Sequence, residues 1–303
     1  MSTVVVLAGG TGGAKLARGM LDVVGSDLVV IANTADDIEI HGAHVSPDPD
    51  LCTFWLADRI DERGWGLAGD TFAVMEQLRE LGEDVWFNLG DRDLAIGLQR
   101  ARRLREGARL TETLAELGAA LGLGARVLPM SDAPVRSWVM TGERWTSFQE
   151  FMIRHRAEGP VDGMELRGIE AATPPPEALE AIAAARAIVI GPSNPVISIR
   201  PVLDIPGMRE ALSASPAKVV AVSPVVGGAF VKGPTEAFMA WAGCELSATG
   251  VAGYYGAILD GMVSDEREAG ELPVAMMDTL MTDAAARERV ARETLRFAEA
   301  LAS

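Results

Sequence analysis

The stretch VVVLAGGTGGAKLARGML, residues 4–21, decides the fold of this chain. It begins with a short apolar run, residues 4–8, that is rich in β-branched valine. Glycines dominate the next five positions, Gly9-Gly10-Thr11-Gly12-Gly13, and residues 14–21 are mostly helix formers. This order predicts a buried strand, a glycine loop and a helix.

Further short apolar runs lie at residues 28–32, 126–128, 187–190 and 219–222. Continuous apolar strands that alternate with helical stretches are typical of a parallel sheet covered on both faces. The sequence therefore predicts an α/β fold with a mostly parallel sheet. An alanine-rich amphipathic helix is predicted to close the chain at residues 284–302.

Residues 51–123 have a different character, because helical spacing dominates and no good strand run separates the helical segments. We predict a helical insert subdomain here, with the α/β core formed by residues 1–50 and 124–303. The four predicted helices of the insert are Leu51–Ile60, Thr71–Leu81, Leu94–Arg105 and Thr111–Leu121.

Two other regions complete the predicted order of elements. Within residues 136–170 we predict strands at Ser137–Thr141 and Met164–Ile169, on either side of a helical segment at Trp145–Arg156. A proline-rich break at residues 173–176 precedes a predicted helix at Glu177–Ala185.

Composition narrows the classes of function. The 303 residues are 49% hydrophobic and 23% charged, which is ordinary for a globular protein. The net charge of −16 disfavours binding to nucleic acid or to an anionic membrane surface. Two distant cysteines, Cys52 and Cys244, indicate neither a disulfide framework nor a zinc site, and we expect a reducing, cytoplasmic location without a signal peptide or membrane span.

The glycine loop admits two interpretations. Its amides, beside the positive end of a helix dipole, favour a phosphate site, and the alternative is a tight turn between strand and helix. The loop matches neither GxxxxGK[ST] nor a complete GxGxxG, which weakens the case for a P-loop kinase and for an NAD-dependent oxidoreductase. Lys15 and Lys232 each follow a glycine-rich turn and are open to the same two interpretations.

Carboxylates cluster after the second predicted strand, in NTADD (33–37) and SPDPD (46–50). Ligands of open α/β sheets gather at the carboxyl ends of strands, and Mg²⁺ prefers one or two carboxylates with waters and phosphates. The cluster as a whole therefore favours a metal or substrate site. Any single aspartate here is better explained as a cap of a turn or helix.

Three further loops carry polar groups. In GDRD (90–93), one of the two aspartates is predicted to cap the following helix, and Arg92 is either ion-paired or available to an anionic group. The loops GPSNP (191–195) and SPVVGG (223–228) each follow an apolar run and predict a polar crevice beside the glycine loop. Neither serine lies in GxSxG, and the three histidines lack HExxH spacing.

Taken in order, GGTGG, NTADD, SPDPD, GDRD, LPMSD, GPSNPVISI, SPVVGG and LMTD resemble the 2-phospho-L-lactate transferase family of coenzyme F-420 biosynthesis (CofD and FbiA). The resemblance runs from Gly9 to Asp283. It implies a Rossmann-like core with a helical subdomain. It also implies Mg²⁺-dependent transfer of a phosphorylated three-carbon acid from a guanosine diphosphate-linked donor to 7,8-didemethyl-8-hydroxy-5-deazariboflavin (Fo), with release of GMP.

The resemblance also implies roles for residues of this chain. Asp50 and Arg92, with Asp48, are expected to bind the deazaflavin, and Asp36 with Asp50 to bind Mg²⁺. Either Asp36 or Asp50 is expected to accept the proton of the acceptor hydroxyl, although one carboxylate cannot easily be both metal ligand and base. The guanosine diphosphate side is expected to be lined by Gly10, Thr11, Gly12, Gly13, Asn33, Ser193 and Asn194.

Pro49-Asp50-Leu51 departs from the family, which commonly has Leu-Asp-Thr at these positions. Related enzymes imply a homodimer and either lactate or enolpyruvate as the transferred acid, with bacterial members resembling users of the latter; glycerate is a third candidate. The competing interpretation is a non-catalytic, nucleotide-sugar-binding regulator of the same superfamily. GDRD argues against a regulator, because such a protein does not need a site for an acceptor ring.

Overall fold

The computed structural model describes residues 3–230 and 234–302. Its strands are β1 Thr3–Ala8, β2 Leu28–Ala32, β3 Ile38–Ile40, β4 Ala43–Val45, β5 Arg126–Pro129, β6 Arg136–Thr141, β7 Arg144–Ser147, β8 Gly163–Arg167, β9 Ala185–Ile190, β10 Lys218–Val222, β11 Val225–Val226, β12 Ala229–Phe230, β13 Gly261–Ser264 and β14 Val274–Met276. Its α-helices are α1 Gly10–Val24, α2 Pro47–Leu56, α3 Ala73–Glu80, α4 Asp91–Arg105, α5 Leu110–Ala120, α6 Pro176–Ala183, α7 Arg200–Leu203, α8 Met208–Ala214, α9 Thr235–Trp241, α10 Ala248–Tyr255 and α11 Ala284–Leu301.

Seven parallel strands form the central sheet in the order β14-β13-β10-β9-β1-β2-β5. The predicted α/β fold with a mostly parallel sheet is therefore confirmed. From β1 the chain builds outward through β2 to β5, and it then returns to the other side of β1 as β9. This reversal is the switch point of the sheet, where open α/β folds bind their ligands beyond the carboxyl ends of the strands.

Helices cover both faces of the sheet. Alternate side chains of β1 point to opposite faces, so Val4 and Val6 pack toward α1, α2 and α11, and Val5 and Leu7 pack toward the opposite layer. That opposite layer contains α6 to α10 and the small antiparallel sheet β7-β6-β8. The strands are buried from both sides, which explains their continuous apolar sequence.

Within residues 136–170 the strand predictions are confirmed by β6 and β8, but the predicted helix at Trp145–Arg156 is wrong over its first part. Gly142, at φ +62°, turns the chain so that β7 pairs antiparallel with β6 and Trp145 lies opposite Met140. Residues 148–154 are helical, and Glu150–Arg154 form a π-helical turn. Cross-strand packing of aromatic and β-branched side chains outweighed the helical spacing.

Four helices occupy the region predicted to be helical between residues 51 and 123. The first begins at Pro47, four residues earlier than predicted, because proline fits the first turn of a helix. It packs against α1 through Cys52 and Leu56. The assignment of residues 51–123 to a separate subdomain stays a prediction.

The C-terminal helix α11 lies along α1 and covers its own sheet. Its buried side chains include Val290 and Leu295, and Asp283 caps its first turn by accepting a hydrogen bond from the Ala286 amide at 2.8 Å. A Cβ atom at Gly19 would lie 2.3 Å from the carbonyl oxygen of Arg287, so α1 needs glycine there for the two helices to approach. In the described part of the chain, no helix has the length and apolarity needed to cross a bilayer.

Candidate active site

A cavity of about 500 Å³ opens at the switch point, beyond the carboxyl ends of β1, β9 and β10. It brings the glycine loop, the acidic turn after β2 and the loops GPSNP and SPVVGG into one site, as the sequence predicts. A shallower groove of about 690 Å³ beside β8 and α8 contains none of the predicted site residues. The cavity is lined by residues 9–12, Lys15, Asp36, Asp48, Phe148, Met152, 192–194, 197–198, 223–224, Val226, Phe230, 234–235 and 279–282.

The glycine loop and the GPSNP loop contact each other so closely that side chains would not fit between them. A Cβ atom at Gly12 would lie 2.0 Å from the carbonyl oxygen of Pro192, and one at Gly13 would lie 2.7 Å from Ser193 Oγ. These glycines are therefore needed for the packing of the two loops. This requirement is compatible with phosphate binding, and the two interpretations of the loop are not exclusive.

Gly10 opens α1 with a positive φ of +65°, and its amide donates a hydrogen bond of 2.7 Å to Asp48 Oδ1. The positive end of α1 thus faces a carboxylate from α2. Because this amide is already used, the amides of the first helical turn that line the cavity and remain available to a ligand are those of Thr11 and Gly12.

Asp36 and Asp48 are brought together by one amide side chain. Asn33 Nδ2 donates to Asp36 Oδ2 at 3.1 Å and to Asp48 Oδ2 at 3.0 Å, while Asn33 Oδ1 accepts from the Ala35 amide at 2.9 Å. All three polar side chains are buried, and Asp36 Oδ1 makes no hydrogen bond, although the unpaired Ser137 hydroxyl is near enough to lower the pKa of Asp36. An unpartnered carboxylate oxygen in a buried site carries a high desolvation cost that a cation or a donor of a ligand would offset.

The two carboxylates are unusually hard to ionise. Burial, and next to it the charge of Asp48, raises the pKa of Asp36 well above its ordinary value. Burial raises the pKa of Asp48 to about 6, although the hydrogen bonds from Gly10 and Asn33 act in the opposite direction. Two adjacent carboxylates whose pKa values rise together are typical of a functional site.

Asp50 lies two residues after Asp48 in α2 but points elsewhere. Both of its carboxylate oxygens accept hydrogen bonds from the buried guanidinium of Arg100 in α4, one of them at 3.0 Å. Arg100 also donates to the carbonyl oxygen of His44 at 3.1 Å. The structure therefore brings Asp36 to Asp48, and it directs Asp50 to Arg100.

The GDRD loop is part of a reciprocal cap between two helices. Asp70 accepts hydrogen bonds from the amides of Arg92 and Asp93 at the start of α4. Asp91 in turn accepts from the amides of Ala73 and Val74 at the start of α3. Asp91 thus caps α3, whereas the cap of α4 comes from Asp70, outside the motif, so the predicted capping of α4 by an aspartate of GDRD is wrong.

Arg92 and Asp93 differ in exposure. The side chain of Arg92 is exposed and reaches only the carbonyl oxygen of Ala68, at 3.3 Å. Burial, with the charges of Asp50 and Asp70, raises the pKa of Asp93 to about 7. The charge of Asp50 is thus felt at the first turn of α4, the turn that also carries Arg92.

Ser193 and Asn194 border the cavity beyond β9. Ser193 Oγ accepts a hydrogen bond from the Gly9 amide at 3.4 Å. Asn194 Oδ1 caps the following helical turn by accepting from the amides of Val196 and Ile197, and its buried Nδ2 has no partner. That free amide nitrogen is available as a donor to a ligand.

Sequence reasoning gave no role to two walls of the cavity. The segment 279–282, which follows β14, contributes Thr279, and Lys15 Nζ donates to the carbonyl oxygen of Met281 at 3.3 Å. Phe148 and Met152 form an apolar wall, and the intervening Gln149 donates to the carbonyl oxygen of Asp36 at 2.9 Å. LMTD, at residues 280–283, was the available signal for the first wall. Lys232 lies outside the described residues.

Comparison with known proteins identifies the family. The family model described as 2-phospho-L-lactate transferase CofD matches residues 4–296. This chain belongs to that family. Since the family is one of transferases, the protein is an enzyme of that class.

Curated relatives carry two names. The chain is 41% identical to a 2-phospho-L-lactate transferase of Methanosarcina mazei, over 92% of this chain and 94% of the relative. It is 40% identical to a phosphoenolpyruvate transferase of Kitasatospora aureofaciens, over 98% of each chain. A crystal structure of a UPF0052 family member from Bacillus halodurans has a TM-score of 0.56 at 19% identity, over 91% of this chain and 88% of that one, and shares the fold.

Proposed function

We propose that this protein transfers a phosphorylated three-carbon acid, 2-phospholactate or phosphoenolpyruvate, to Fo in coenzyme F-420 biosynthesis. The donor is a guanosine diphosphate-linked form of the acid, and GMP is released. The observation that carries this proposal is the match to the family over residues 4–296. Six of the eight family motifs line the cavity at the switch point, and GDRD and LPMSD lie outside its lining. Transfer of this kind asks the protein chiefly to align two substrates and to neutralise charge.

The donor is proposed to bind across the two apposed loops. Its diphosphate is proposed to lie at the amides of Thr11 and Gly12, where the positive end of α1 favours an anion. Gly13, also predicted as a nucleotide contact, lies outside the cavity lining and is proposed to act through the close packing of the two loops. The free Nδ2 of Asn194 and the hydroxyl of Ser193 supply side-chain donors on the opposite side. Asn33, predicted as a nucleotide contact, is instead proposed to act indirectly, because its amide holds Asp36 and Asp48.

The residues present fit a magnesium ion. Mg²⁺ binds hard oxygen ligands, usually one or two carboxylates completed by waters and phosphates, and the cavity offers the unpartnered oxygen of Asp36 beside Asp48. Among the described residues no group of three or more His, Cys, Asp or Glu side chains is placed to hold a metal ion, so a cation here would need further ligands from water and substrate. We propose Asp36 and Asp48 as the protein ligands. The sequence-based choice of Asp50 as the second ligand is less favoured, because Arg100 holds both of its oxygens.

When bound, the cation supplies charge neutralisation at the diphosphate and so makes GMP a better leaving group. The acceptor is proposed to lie between Asp50 and the first turn of α4, where Arg92 is exposed. Its hydroxyl then points toward the acidic end of the cavity. Because Asp36 is proposed as a metal ligand, it is not free to act as the base, and Arg100 holds both oxygens of Asp50, the other predicted base.

Assembly and location are proposed from the resemblance and from the thiols. We propose a homodimer, with an interface away from the apolar face of α11, because that face is buried against the protein's own α1 and sheet. Light scattering on the protein as it elutes from a size-exclusion column measures the mass of the assembly directly. A cytoplasmic location fits the two free thiols, Cys52 and Cys244.

The transfer reaction itself tests the proposed function. The purified protein is incubated with Fo, Mg²⁺ and one donor at a time, carrying lactate, enolpyruvate or glycerate. We expect one donor to give two products in equal amounts, a phosphodiester that joins Fo to the three-carbon acid and free GMP. No GMP should form when Fo is omitted. Binding of guanosine diphosphate without any product from the three donors would support the nucleotide-sugar-binding regulator instead.

A further inference from the structure

Asp37 lies outside the cavity lining, but it connects the two segments that carry Asp36 and Asp48. Asp36 precedes the hairpin β3–β4 and Asp48 follows it, in the first turn of α2. The hairpin has three residues in each strand, and isolated ribbons of this size are only marginally stable. The distance between the two carboxylates therefore depends on contacts at the base of the hairpin as well as on the Asn33 amide that donates to both.

The side chain of Asp37 makes those contacts. Its Oδ1 accepts a hydrogen bond of 2.8 Å from Ser46 Oγ, and its Oδ2 is hydrogen bonded to His44 Nε2 at 3.0 Å. His44 belongs to β4, and Ser46 is the first residue after that strand, two residues before Asp48. Since the Asp37 side chain is only 1% exposed, water does not compete for these bonds. The carboxylate thus joins the beginning of the hairpin to its end.

Asp37 also adds charge to the site. Asp37 is the sequence neighbour of Asp36, and its buried carboxylate accepts a hydrogen bond from Ser46, two residues before Asp48. A negative charge in this position attracts a cation placed between Asp36 and Asp48. Buried charges are weakly screened by salt, so this attraction persists at physiological ionic strength.

We propose that Asp37 is a positioning residue for the reaction: it holds Asp36 and Asp48 at the spacing that a divalent cation needs, and its charge strengthens cation binding. This inference rests on the proposed metal site. Asp37 itself does not touch the cation, and it acts through Ser46, His44 and the backbone that joins it to Asp36.

Titration with Mn²⁺, followed by electron paramagnetic resonance in the presence of GDP, measures cation affinity without turnover. We expect Asp37→Asn to weaken Mn²⁺ binding about tenfold, the usual cost of removing a group that orients metal ligands. Ser46→Ala keeps the charge and breaks one bond, so about a threefold loss is expected. Asp132→Asn is the matched control, because Asp132 also accepts two hydrogen bonds from Thr111 but lies outside the site; it should bind Mn²⁺ like the wild type.

Binding of GDP without metal separates a positioning role from a structural one. We expect Asp37→Asn to bind metal-free GDP as the wild type does. Loss of that binding to the same degree as Mn²⁺ binding would overturn the inference, as would wild-type Mn²⁺ affinity in both Asp37→Asn and Ser46→Ala. If Asp37→Asn does not fold, the Ser46→Ala affinity decides alone.

Failure of the proposed function gives a different result. A wild-type protein that binds Mn²⁺ but transfers no group to Fo would contradict the proposed function, and the effect of Asp37→Asn on Mn²⁺ would still decide the inference. A wild-type protein that binds no Mn²⁺ would overturn the metal site and the role of Asp37 together.

Discussion

Asp48 occupies a site that opposes its own ionisation. Burial raises its pKa to about 6, so the folded state keeps a proton that the unfolded state releases near pH 4. The stability that this group contributes is therefore complete below its unfolded pKa and is lost as the pH rises through about 6. A buried carboxylate that lowers the stability of the fold when it ionises is typical of a functional residue.

Asp48→Asn removes this dependence on pH. Relative to wild type, we expect the free energy of unfolding of the variant to rise by on the order of 2 kcal/mol between pH 4 and pH 7. The hydrogen bonds from Gly10 and Asn33 are lost or altered in the variant, which lowers its stability in addition to the change with pH. Urea denaturation in metal-free buffer at several pH values measures it. A difference between the two proteins that stays constant with pH would contradict the raised pKa.

At the scale of the element, the loop between β1 and α1 is constrained by its contact with the GPSNP loop. We expect Gly12→Ala to lower the free energy of unfolding by about 1–3 kcal/mol, because a new Cβ 2.0 Å from the Pro192 carbonyl oxygen forces the loops apart. Binding of GDP should weaken with it, as measured by calorimetry.

Gly118→Ala in α5 is the matched control for Gly12→Ala. Its Cβ would meet the Leu123 side chain only at an ordinary distance of 3.9 Å, so alanine should stabilise the helix by up to about 1 kcal/mol. Equal effects of the two substitutions on stability and GDP binding would exclude the loop contact as the cause.

The reciprocal cap between α3 and α4 gives a second prediction at this scale. Asp70→Ala removes the acceptor for the Arg92 and Asp93 amides, and we expect a loss of about 1 kcal/mol together with weaker binding of Fo, read from its fluorescence. Asp91→Ala removes the cap of α3 at similar cost but leaves the amide of Arg92 capped. Fo binding that falls equally in both variants would argue against a role for the first turn of α4 in binding the acceptor.

Elements whose signal lies in their own sequence could be predicted, and elements that depend on distant residues could not. Helices α4 and α5 were placed within three residues at each end, because apolar periodicity and helix formers mark them. The strand at Arg144–Ser147 was missed, since only its pairing with β6, across the turn at Gly142, distinguishes it from a helix start. The cap of α4 was also missed, because its acceptor is 22 residues away in the sequence.

At the scale of the whole molecule, the parallel sheet was predictable and the details of the site were not. Continuous apolar runs predict buried strands, and the polar loops that follow those runs predict a crevice at the carboxyl ends of the strands. The pairing of Asp50 with Arg100 joins positions 50 residues apart and has no local signal. The apolar wall at Phe148 likewise depends on how the small antiparallel sheet folds over the switch point.

The whole molecule is expected to act through one cavity in which Asp36 is indispensable. A single-turnover reaction tests this most directly. The enzyme is in excess over Fo, the accepted donor and Mg²⁺ are added, and the quenched products are analysed by mass spectrometry. We expect wild type to form one Fo phosphodiester per GMP. We expect Asp36→Asn to react at least about a hundredfold more slowly, with Fo binding retained. Reaction of Asp36→Asn at the wild-type rate would contradict the placement of the transfer reaction in this cavity.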